Sequence, residues 1–213
     1  MTYPDAQNPA ESRRILWNQF ILARALARVA RQRCDPEEAE DEAPAFHYTD
    51  THAGSGRMPG PLRQTAALLA VRKEFSSPLF FDALRPALPD GAHPGSWILA
   101  GRVLSNLGFA AEIDVNDIDS EAIRLGQTYR ESAWTRFWTH DWFQFLRTRL
   151  GVGKLPDFVF IDPPPDPGDD AVDDAQQVVV VLEPDGGQLQ LAVAFDEHLR
   201  GAVDQDVGDG VVL

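Results

Sequence analysis

The sequence predicts an α/β fold in which helices flank a parallel sheet. Short segments rich in aromatic and β-branched residues alternate along the chain with segments whose apolar residues recur at helical spacing. The 213 residues contain 44% apolar and 24% charged side chains, which is typical of a single soluble globular domain with a substantial core. The sequence contains no visible internal repeat, so the fold class depends on the order of the individual elements.

The N-terminal segment, residues 1–42, is predicted to be a helix followed by an acidic linker. Apolar residues recur at helical spacing over residues 13–33, and six arginines lie in the same segment. Most such basic amphipathic helices pack one face on a core, and contact with a membrane surface or an RNA backbone is the alternative. Residues 35–42 contain six acidic side chains, which favours a solvated linker.

The first strand is predicted at residues 46–50, directly before a glycine-containing loop. The segment is rich in aromatic and β-branched residues, and the loop at 51–57 includes Gly54 and Gly56. Prolines and glycines interrupt residues 58–94 repeatedly. We therefore expect a helical insertion here, with its clearest helix at residues 62–75.

The remaining elements alternate regularly between helix and strand. Apolar periodicity, capping residues and β-branched runs support them. In chain order we expect helix 95–107, strand 110–117, helix 119–130, strand 135–140, helix 141–150, strand 157–161, helix 170–182 and strand 189–195. All of these elements are expected to belong to one domain that covers residues 1–213.

The composition disfavours several classes of protein. Cys34 is the only cysteine, which excludes an intrachain disulfide and a zinc site built from several cysteines. The longest dense apolar run, residues 178–182, is far shorter than the roughly 18 residues that a bilayer requires. His52, His140 and His198 do not have the spacing of metal ligands, and the N-terminus lacks the pattern of a secretory signal. We therefore expect a cytoplasmic protein with no metal site and no membrane partner.

Four clusters of residues are predicted to lie at the carboxyl ends of the strands, where open α/β sheets bind ligands. The first cluster is the loop after strand 46–50. There Gly54 and Gly56 let backbone amides approach a ligand without obstruction by a Cβ atom, although an ordinary tight turn has the same appearance. The loop is not a phosphate-binding Walker loop, because no Gly-Lys-Ser/Thr follows it.

The second and third clusters provide groups that suit a nucleoside. At the end of strand 110–117, Asp117 is expected to bind the ribose hydroxyl groups and Asp119 to cap the following helix. After strand 135–140, Asp141 provides a hydrogen-bond acceptor for the amino group of an adenine and Trp142 provides a flat apolar wall. Packing of Trp142 against neighbouring aromatic residues in the core is an equal contender.

The fourth cluster, Ile-Asp-Pro-Pro at residues 161–164, is the most specific. The Asp162 carboxylate and the Pro163 carbonyl can both accept hydrogen bonds from an exocyclic amine and orient its lone pair toward an electrophilic methyl group. Positioning is the main contribution of such a site. In isolation, Asp-Pro-Pro is more often only a turn.

Taken in chain order, these clusters resemble the bacterial 23S ribosomal RNA adenine-N6 methyltransferase family. The resemblance covers roughly residues 12–198, and Asp-Thr-His-Ala-Gly-Ser-Gly-Arg at 50–57 is its most specific element. Pro-Gly-Ser at 94–96, the acid that ends the second strand, Asp141 and Ile-Asp-Pro-Pro at 161–164 follow in order. The resemblance implies a Rossmann-like class I methyltransferase fold with a helical insertion after the first strand. It also implies S-adenosylmethionine as cofactor and adenine N6 of RNA or DNA as methyl acceptor, with RNA favoured.

The resemblance implies a role for each site residue. The methionine end of the cofactor would lie against the glycine loop and the start of the next helix, its ribose against Asp117, and its adenine against Asp141 and Trp142. The target amine would be held by Asp162 and Pro163. The residues of the glycine loop and helix start are Asp50, His52, Gly54, Gly56, Gly95 and Ser96.

The sequence departs from the family at three places. Pro165 stands where the family has an aromatic residue that stacks on the target base, and Trp97 is the candidate to replace that ring. Residues 1–11 lack the short basic segment with a histidine that begins the family. About eighteen residues follow the last predicted strand, so we expect the antiparallel C-terminal hairpin of the family to be reduced or missing. The alternative functions are a non-catalytic relative that binds the cofactor or a partner, and a methyltransferase that acts on a small molecule or a protein.

The acidic residues are concentrated in two segments. The net charge of the chain is −14, yet residues 1–33 carry +4 and residues 43–161 are neutral overall. The excess of acid lies in residues 34–42 and 162–213. Phosphate groups are bound by Lys and Arg, so a nucleic acid is expected to dock on the N-terminal helix and the insertion.

Overall fold

The computed structural model describes residues 9–33, 43–58, 77–151, 156–163, 177–182 and 189–194. The helices are α1 (Pro9–Arg33), α2 (Pro78–Leu84), α3 (Ser96–Asn106), α4 (Ser120–Gly126) and α5 (Trp142–Gly151), and a 3₁₀ turn covers Gln127–Tyr129. The strands are β1 (Ala45–Asp50), β2 (Arg57–Met58), β3 (His93–Pro94), β4 (Ala110–Asn116), β5 (Thr135–Trp138), β6 (Phe158–Ile161), β7 (Gln177–Leu182) and β8 (Leu189–Ala194).

The main sheet has the strand order β5-β4-β1-β6-β7-β8. The strands β5, β4, β1 and β6 run parallel, and Asp50 of β1 pairs with Val115 on one side and with Phe160 on the other. Helices connect the parallel strands, because a tight hairpin cannot join them. The predicted α/β class with a parallel sheet is confirmed, and the arrangement is compatible with a Rossmann-like fold.

The C-terminal part of the sheet differs from the prediction. Residues 170–182 are predicted as a helix, but Gln177–Leu182 form β7, which runs antiparallel to β6. Four consecutive valines at 178–181 explain the difference, because β-branched side chains fit a strand better than a helix. Leu189–Ala194 then form β8, antiparallel to β7. The β7–β8 hairpin thus extends the sheet, and the residues after 194, on which the expected reduced or missing C-terminal hairpin depends, lie outside the described residues.

Most other predicted elements are present with slightly different ends. The helix predicted at 119–130 is shorter than expected: α4 ends at Gly126 and the 3₁₀ turn follows. Of the predicted insertion at 58–94, the structure describes Met58 and residues 77–94, which include α2 and β3. The predicted acidic linker at 35–42 and the helix at 62–75 lie outside the described residues.

The main hydrophobic core lies between one face of the sheet and the helices α1, α2 and α3. Strand residues that face it alternate along the chain, such as Phe46 and Tyr48 of β1, as expected for a strand with one buried face. An edge-to-face contact between Phe20 and Phe80, with ring centroids 5.5 Å apart, joins α1 to α2. The more common behaviour of an amphipathic helix, packing on a core, is thus confirmed for α1. None of the helices in the described ranges is long and apolar enough to cross a bilayer.

The opposite face of the sheet carries a charged cluster centred on Asp114, which is fully buried. Arg136 Nε and Arg149 Nη2 donate to its two oxygens at 2.7 and 2.6 Å, and His47 Nε2 lies 2.8 Å from Oδ2. Burial raises the pKa of Asp114, but the hydrogen bond and charge of His47 and the charge of Arg136 outweigh it and lower the pKa to about 2. The cluster therefore holds β1, β4, β5 and α5 together through one ionised carboxylate.

Candidate functional site

The four predicted clusters meet at the carboxyl edge of the parallel strands. The amide of Thr51 donates to the carbonyl of Phe160 at 3.1 Å, and the amide of Ala53 donates to the carbonyl of Asn116 at 3.0 Å. These bonds tie the loop after β1 to the ends of β6 and β4. The amide of Asp117 lies 3.4 Å from the carbonyl of Trp138, which brings in the end of β5. Residues far apart in the chain are thus neighbours at this edge.

The loop after β1 needs glycine at two positions for backbone reasons. Gly54 and Gly56 have φ angles of 55° and 70°, in the left-handed region that other L-residues rarely adopt. The carbonyl of Gly56 accepts a hydrogen bond from the amide of Gly95 at 2.6 Å. A Cβ atom on Gly95 would lie 2.8 Å from the carbonyl carbon of Gly56. The glycines therefore allow the loop and the start of α3 to pack directly on each other.

Trp97 does not supply the aromatic ring that Pro165 fails to provide. The side chain is only 1% exposed, and its ring packs edge to face on Phe137 with centroids 5.5 Å apart. A Cβ atom on Gly56 would lie 2.4 Å from the indole, so this ring fills the space beneath the loop. The expectation that Trp97 stacks on a target base is therefore wrong, because the ring is enclosed. Pro165 itself lies outside the described residues.

Asp50 ends β1 beneath the loop and is fully buried. The hydroxyl of Tyr48 donates to its Oδ2 at 3.1 Å, whereas Oδ1 has no hydrogen-bond partner in the described part of the chain. Burial raises the pKa of Asp50 to about 7, and the Asp162 carboxylate adds to the rise, against the lowering effects of Ser96, Tyr48 and the backbone of His52. Asp50 is thus a carboxyl group that changes its charge near neutral pH.

His52 lies between the glycine loop and the start of α5. Its Nδ1 is 2.8 Å from Thr51 Oγ1, and its ring centroid is 6.0 Å from that of Trp142. Burial lowers the pKa of His52, although the nearby Asp117 and Asp141 carboxylates oppose the change. The imidazole is therefore held mainly neutral next to an exposed aromatic ring.

Asp117 is half-buried and already accepts two backbone hydrogen bonds. The amide of Gly54 donates to Oδ2 at 2.8 Å, and the amide of Asp119 donates to Oδ1 at 2.9 Å. Asp119 in turn caps α4, since its Oδ1 accepts from the amides of Glu121 and Ala122, as predicted. Each oxygen of Asp117 keeps one further lone pair with which it can accept a bond from a hydroxyl group.

Asp141 and Trp142 occupy the start of α5. Asp141 Oδ1 accepts hydrogen bonds from the amides of Phe143 and Gln144 at 3.1 and 3.0 Å, so the residue caps the helix. The Trp142 side chain is 37% exposed and packs edge to face on Phe143 with centroids 5.8 Å apart. The Asp141 carboxylate therefore has a structural role, while the Trp142 ring keeps a free surface at the edge.

Asp162 and Pro163 follow β6 directly. Asp162 is partly buried and Pro163 is exposed. The Asp162 carboxylate raises the pKa values of both Asp50 and Tyr48, which places its charge close to theirs. Asp162 is therefore accessible to a ligand from solvent. The Asp50 carboxyl lies near it and is fully buried.

Two further residues at this edge, Asn116 and Ile118, were not predicted from the sequence. Asn116 is fully buried and donates through Nδ2 to the carbonyls of Thr51 and His140 at 3.2 and 3.1 Å, while its Oδ1 accepts from the amide of His140. It therefore fixes the ends of three strands relative to each other. Ile118 is 68% exposed beside Asp117. The sequence signal for the exposure of Ile118 is its position between two aspartates in a loop after a strand. Neighbouring residues of this kind do not bury an isoleucine.

A cavity of about 350 Å³ lies elsewhere, between α3 and the starts of β4 and β5. Ile98, Phe109 and Trp134 contribute to its apolar lining, and the ion pair between Arg102 and Glu131 lies at its wall. Trp97 is among the residues that line this cavity, but none of the predicted cofactor-binding or catalytic residues lines it.

Neither metal ligation nor comparison with known proteins assigns a more specific function to this edge. Within the described ranges, no group of three His, Cys, Asp or Glu side chains is arranged to hold a metal ion. Membership of the methyltransferase family that the sequence resembles stays a prediction. No protein-family model, no curated protein and no solved structure matches this chain.

Proposed function

We propose that the protein is an S-adenosylmethionine-dependent methyltransferase whose acceptor is the N6 amine of an adenine in RNA. One observation supports this proposal most strongly. The glycine loop, Asp117, Trp142 and Asp162 come from four separate segments, and the fold gathers them at one sheet edge. An edge of this kind is where α/β sheets bind nucleotides and related cofactors.

The residues at the edge fit a nucleoside-containing cofactor in two respects. Ile118 and Trp142 expose apolar surface after the ends of the neighbouring strands β4 and β5, which suits the two faces of a purine ring. Asp117 has one free lone pair on each oxygen for the ribose hydroxyl groups. Asp50 adds a buried carboxyl group with one unsatisfied oxygen beneath the loop that would meet the methionine end.

The chemical step requires mainly positioning from the protein. The bound cofactor supplies an electrophilic methyl group. The Asp162 carboxylate and the Pro163 carbonyl accept hydrogen bonds from the acceptor amine and direct its lone pair, which lowers the entropic cost of the reaction. The partly buried position of Asp162 limits the competition of water for these bonds.

A protein that binds the cofactor without methyl transfer is the second candidate. Asp117 and Asp141 both already accept backbone hydrogen bonds, and Pro165 replaces the base-stacking residue of the family. Transfer also needs Asp162 and Pro163 to hold the acceptor amine, whereas binding does not. The two candidates therefore predict the same ligand and different activities.

Calorimetry with S-adenosylmethionine and with S-adenosylhomocysteine tests the shared part of the proposal. We expect both ligands to bind and the Asp117→Ala variant to lose affinity about tenfold or more, because a ribose contact to a carboxylate is charge-assisted. Asp82→Ala, an exposed aspartate on α2, is the matched control and should bind normally. Absence of binding at millimolar ligand would refute the proposal.

Transfer of a labelled methyl group separates the two candidates. Undermodified ribosomal RNA, a protein-free DNA and a bulk protein fraction serve as acceptors. We expect labelling of the RNA at adenine, and loss of labelling in Asp162→Ala even when the cofactor is saturating. Normal cofactor binding with no labelled acceptor would favour the binding protein, and labelling of another acceptor would replace the substrate assignment.

A further inference from the structure

Two aspartates of the parallel sheet are completely buried, and their surroundings differ. Asp114 is held by two arginines and a histidine. The hydroxyl of Tyr48 donates to Asp50 Oδ2, and the Ser96 hydroxyl and the His52 backbone are close enough to lower the pKa of Asp50, but no described group makes a hydrogen bond of normal geometry to Oδ1. No described arginine or lysine is among the groups that shift the pKa of Asp50. Within the described ranges, Asp50 therefore has no cationic partner of the kind that Asp114 has.

A second carboxylate lies close to Asp50. The parallel pairing of β1 and β6 sets Asp50 beside Phe160, and the alternation of a strand places Asp162, two residues further on, toward the same face. The charge of Asp162 raises the pKa values of Asp50 and of Tyr48. A fully buried carboxylate and a partly buried one beside it cannot both ionise at low cost unless a positive charge joins them.

We propose that Asp50 and Asp162 form a proton-holding pair that recognises the positive charge of a small-molecule ligand at the carboxyl edge. In the free protein near neutral pH, a fraction of the molecules carry a proton on Asp50. When a cationic group binds, the O–H bond of the Asp50 carboxyl breaks, the proton passes to solvent, and the two carboxylates balance the charge of the ligand. The inference rests on the proposed function, because S-adenosylmethionine carries both an ammonium and a sulfonium group.

The other groups around Asp50 support a change of charge on this residue. The titratable side chains that act on it are Tyr48 of the same strand and Asp162 after β6, and Ser96 at the start of α3 contributes a hydroxyl. Burial raises the pKa of Tyr48 well above its usual range, so the phenol stays neutral. Burial also raises the pKa of Asp50 to about 7, so a fraction of the free protein carries the proton at neutral pH.

Proton release on binding is measurable by calorimetry in two buffers of different ionisation enthalpy. With S-adenosylmethionine we expect release of about half a proton per ligand near pH 7, more near pH 6 and little near pH 8.5. Asp50→Asn should bind about tenfold or more weakly and release no proton. Asp82→Asn, remote from the edge on α2, should behave like the unsubstituted protein.

Thermal unfolding without ligand tests the proton on Asp50 independently. The folded-state pKa of Asp50 lies above its unfolded value, so its contribution to stability is complete below about pH 4 and is lost as the pH rises toward 7. Relative to Asp50→Asn, the unsubstituted protein should therefore lose stability over this range. If Asp50→Asn does not fold, Tyr48→Phe replaces it: loss of the hydroxyl should move the midpoint of proton release to higher pH.

The outcomes separate this inference from the proposed function. Cofactor binding without proton release overturns the proton-holding pair and leaves the methyltransferase proposal standing. Absence of binding overturns both. Parallel stability profiles for the unsubstituted protein and Asp50→Asn overturn the pair whatever the ligand result. Proton release that disappears in Asp50→Asn and persists in Asp82→Asn supports it.

Discussion

At the scale of single residues, Gly56 connects the loop of the candidate site to the core. Its φ of 70° excludes most side chains, and a Cβ atom would overlap the indole of Trp97. The sequence pattern indicated only that a ligand could approach this glycine closely. In the structure it is Trp97 that approaches this glycine, from beneath the loop. The backbone conformation and the packing of Trp97 together account for a glycine at this position.

Substitution of Gly56 tests this packing. Gly56→Ala combines the cost of a left-handed L-residue, about 1–2 kcal/mol, with overpacking against Trp97, about 1–3 kcal/mol. Gly91→Ala is the matched control, because Gly91 has a φ of 80° and nothing within 4 Å of an added Cβ atom. Urea unfolding should show a clearly larger loss of unfolding free energy for Gly56→Ala. Equal losses for the two variants would show that Trp97 does not limit the space.

The candidate site was predictable as far as residue type and strand position carried the signal. The capping of α4 by Asp119 follows from local rules. The contact between Asp117 and the glycine loop follows from the parallel order of the strands. The burial of Trp97 does not, because it depends on how α3 packs under a loop forty residues earlier in the chain. The exposure of Ile118 likewise depends on what the rest of the fold leaves uncovered.

At the scale of elements, the Asp114 cluster adds charged contacts to the second face of the sheet, where Val159, Ile161 and Leu146 form a smaller apolar cluster. The carboxylate bonds to groups from β1, β5 and α5, and Arg149 also lies over the ring of Trp138 at 5.5 Å. Removal of one partner from such a buried network leaves uncompensated charge, which costs more than the loss of one bond. This role was not predictable from the sequence, because Asp114 is one of several acids near a strand end.

Asp114→Asn should therefore destabilise the protein strongly at neutral pH, by about 3–5 kcal/mol. The folded-state pKa of Asp114 is lowered to about 2, so its stabilising effect is present above about pH 4 and is lost as the pH falls toward 2. The difference between the variant and the unsubstituted protein should shrink over that range in pH-dependent unfolding. Asp119→Asn is the control and should change little, because Asn also caps helices. A loss that is constant from pH 6 to pH 2 would contradict the ionic role of Asp114.

The C-terminal hairpin shows where sequence patterns were insufficient for the elements. A valine run at 178–181 followed by a second apolar segment fits two antiparallel strands or a helix and a strand. The structure pairs Val180 of β7 with Val159 of β6, so an interior neighbour was available to this segment. Long-range pairing of this kind decides between the two readings, and a local pattern does not contain it.

At the scale of the whole molecule, the charge distribution directs where a nucleic acid can bind. Arg24, Arg28 and Arg31 are exposed on α1 at spacings of four and three residues, which places them on one side of the helix. Residues 15–33 contain no acidic side chain. Gln19 of the same helix donates to the carbonyl of Pro94 at 3.0 Å, directly before Gly95 of the candidate site. The arginine stripe therefore begins within two helical turns of the residue that contacts the site edge.

This arrangement predicts that RNA binds along α1 through its phosphates. A triple substitution of Arg24, Arg28 and Arg31 by Gln keeps helix propensity and removes three positive charges. Each protein contact to a phosphate of single-stranded RNA releases about 0.7 counterions. If each arginine contacts one phosphate, the slope of log affinity against log salt should therefore become shallower by about 2. Arg124→Gln on α4, where the arginine pairs with Glu121, should leave the slope unchanged. If the triple substitution leaves the salt dependence unchanged, the RNA binds to another surface. If the two variants change the slope equally, the arginines of α1 act only through the net charge of the protein.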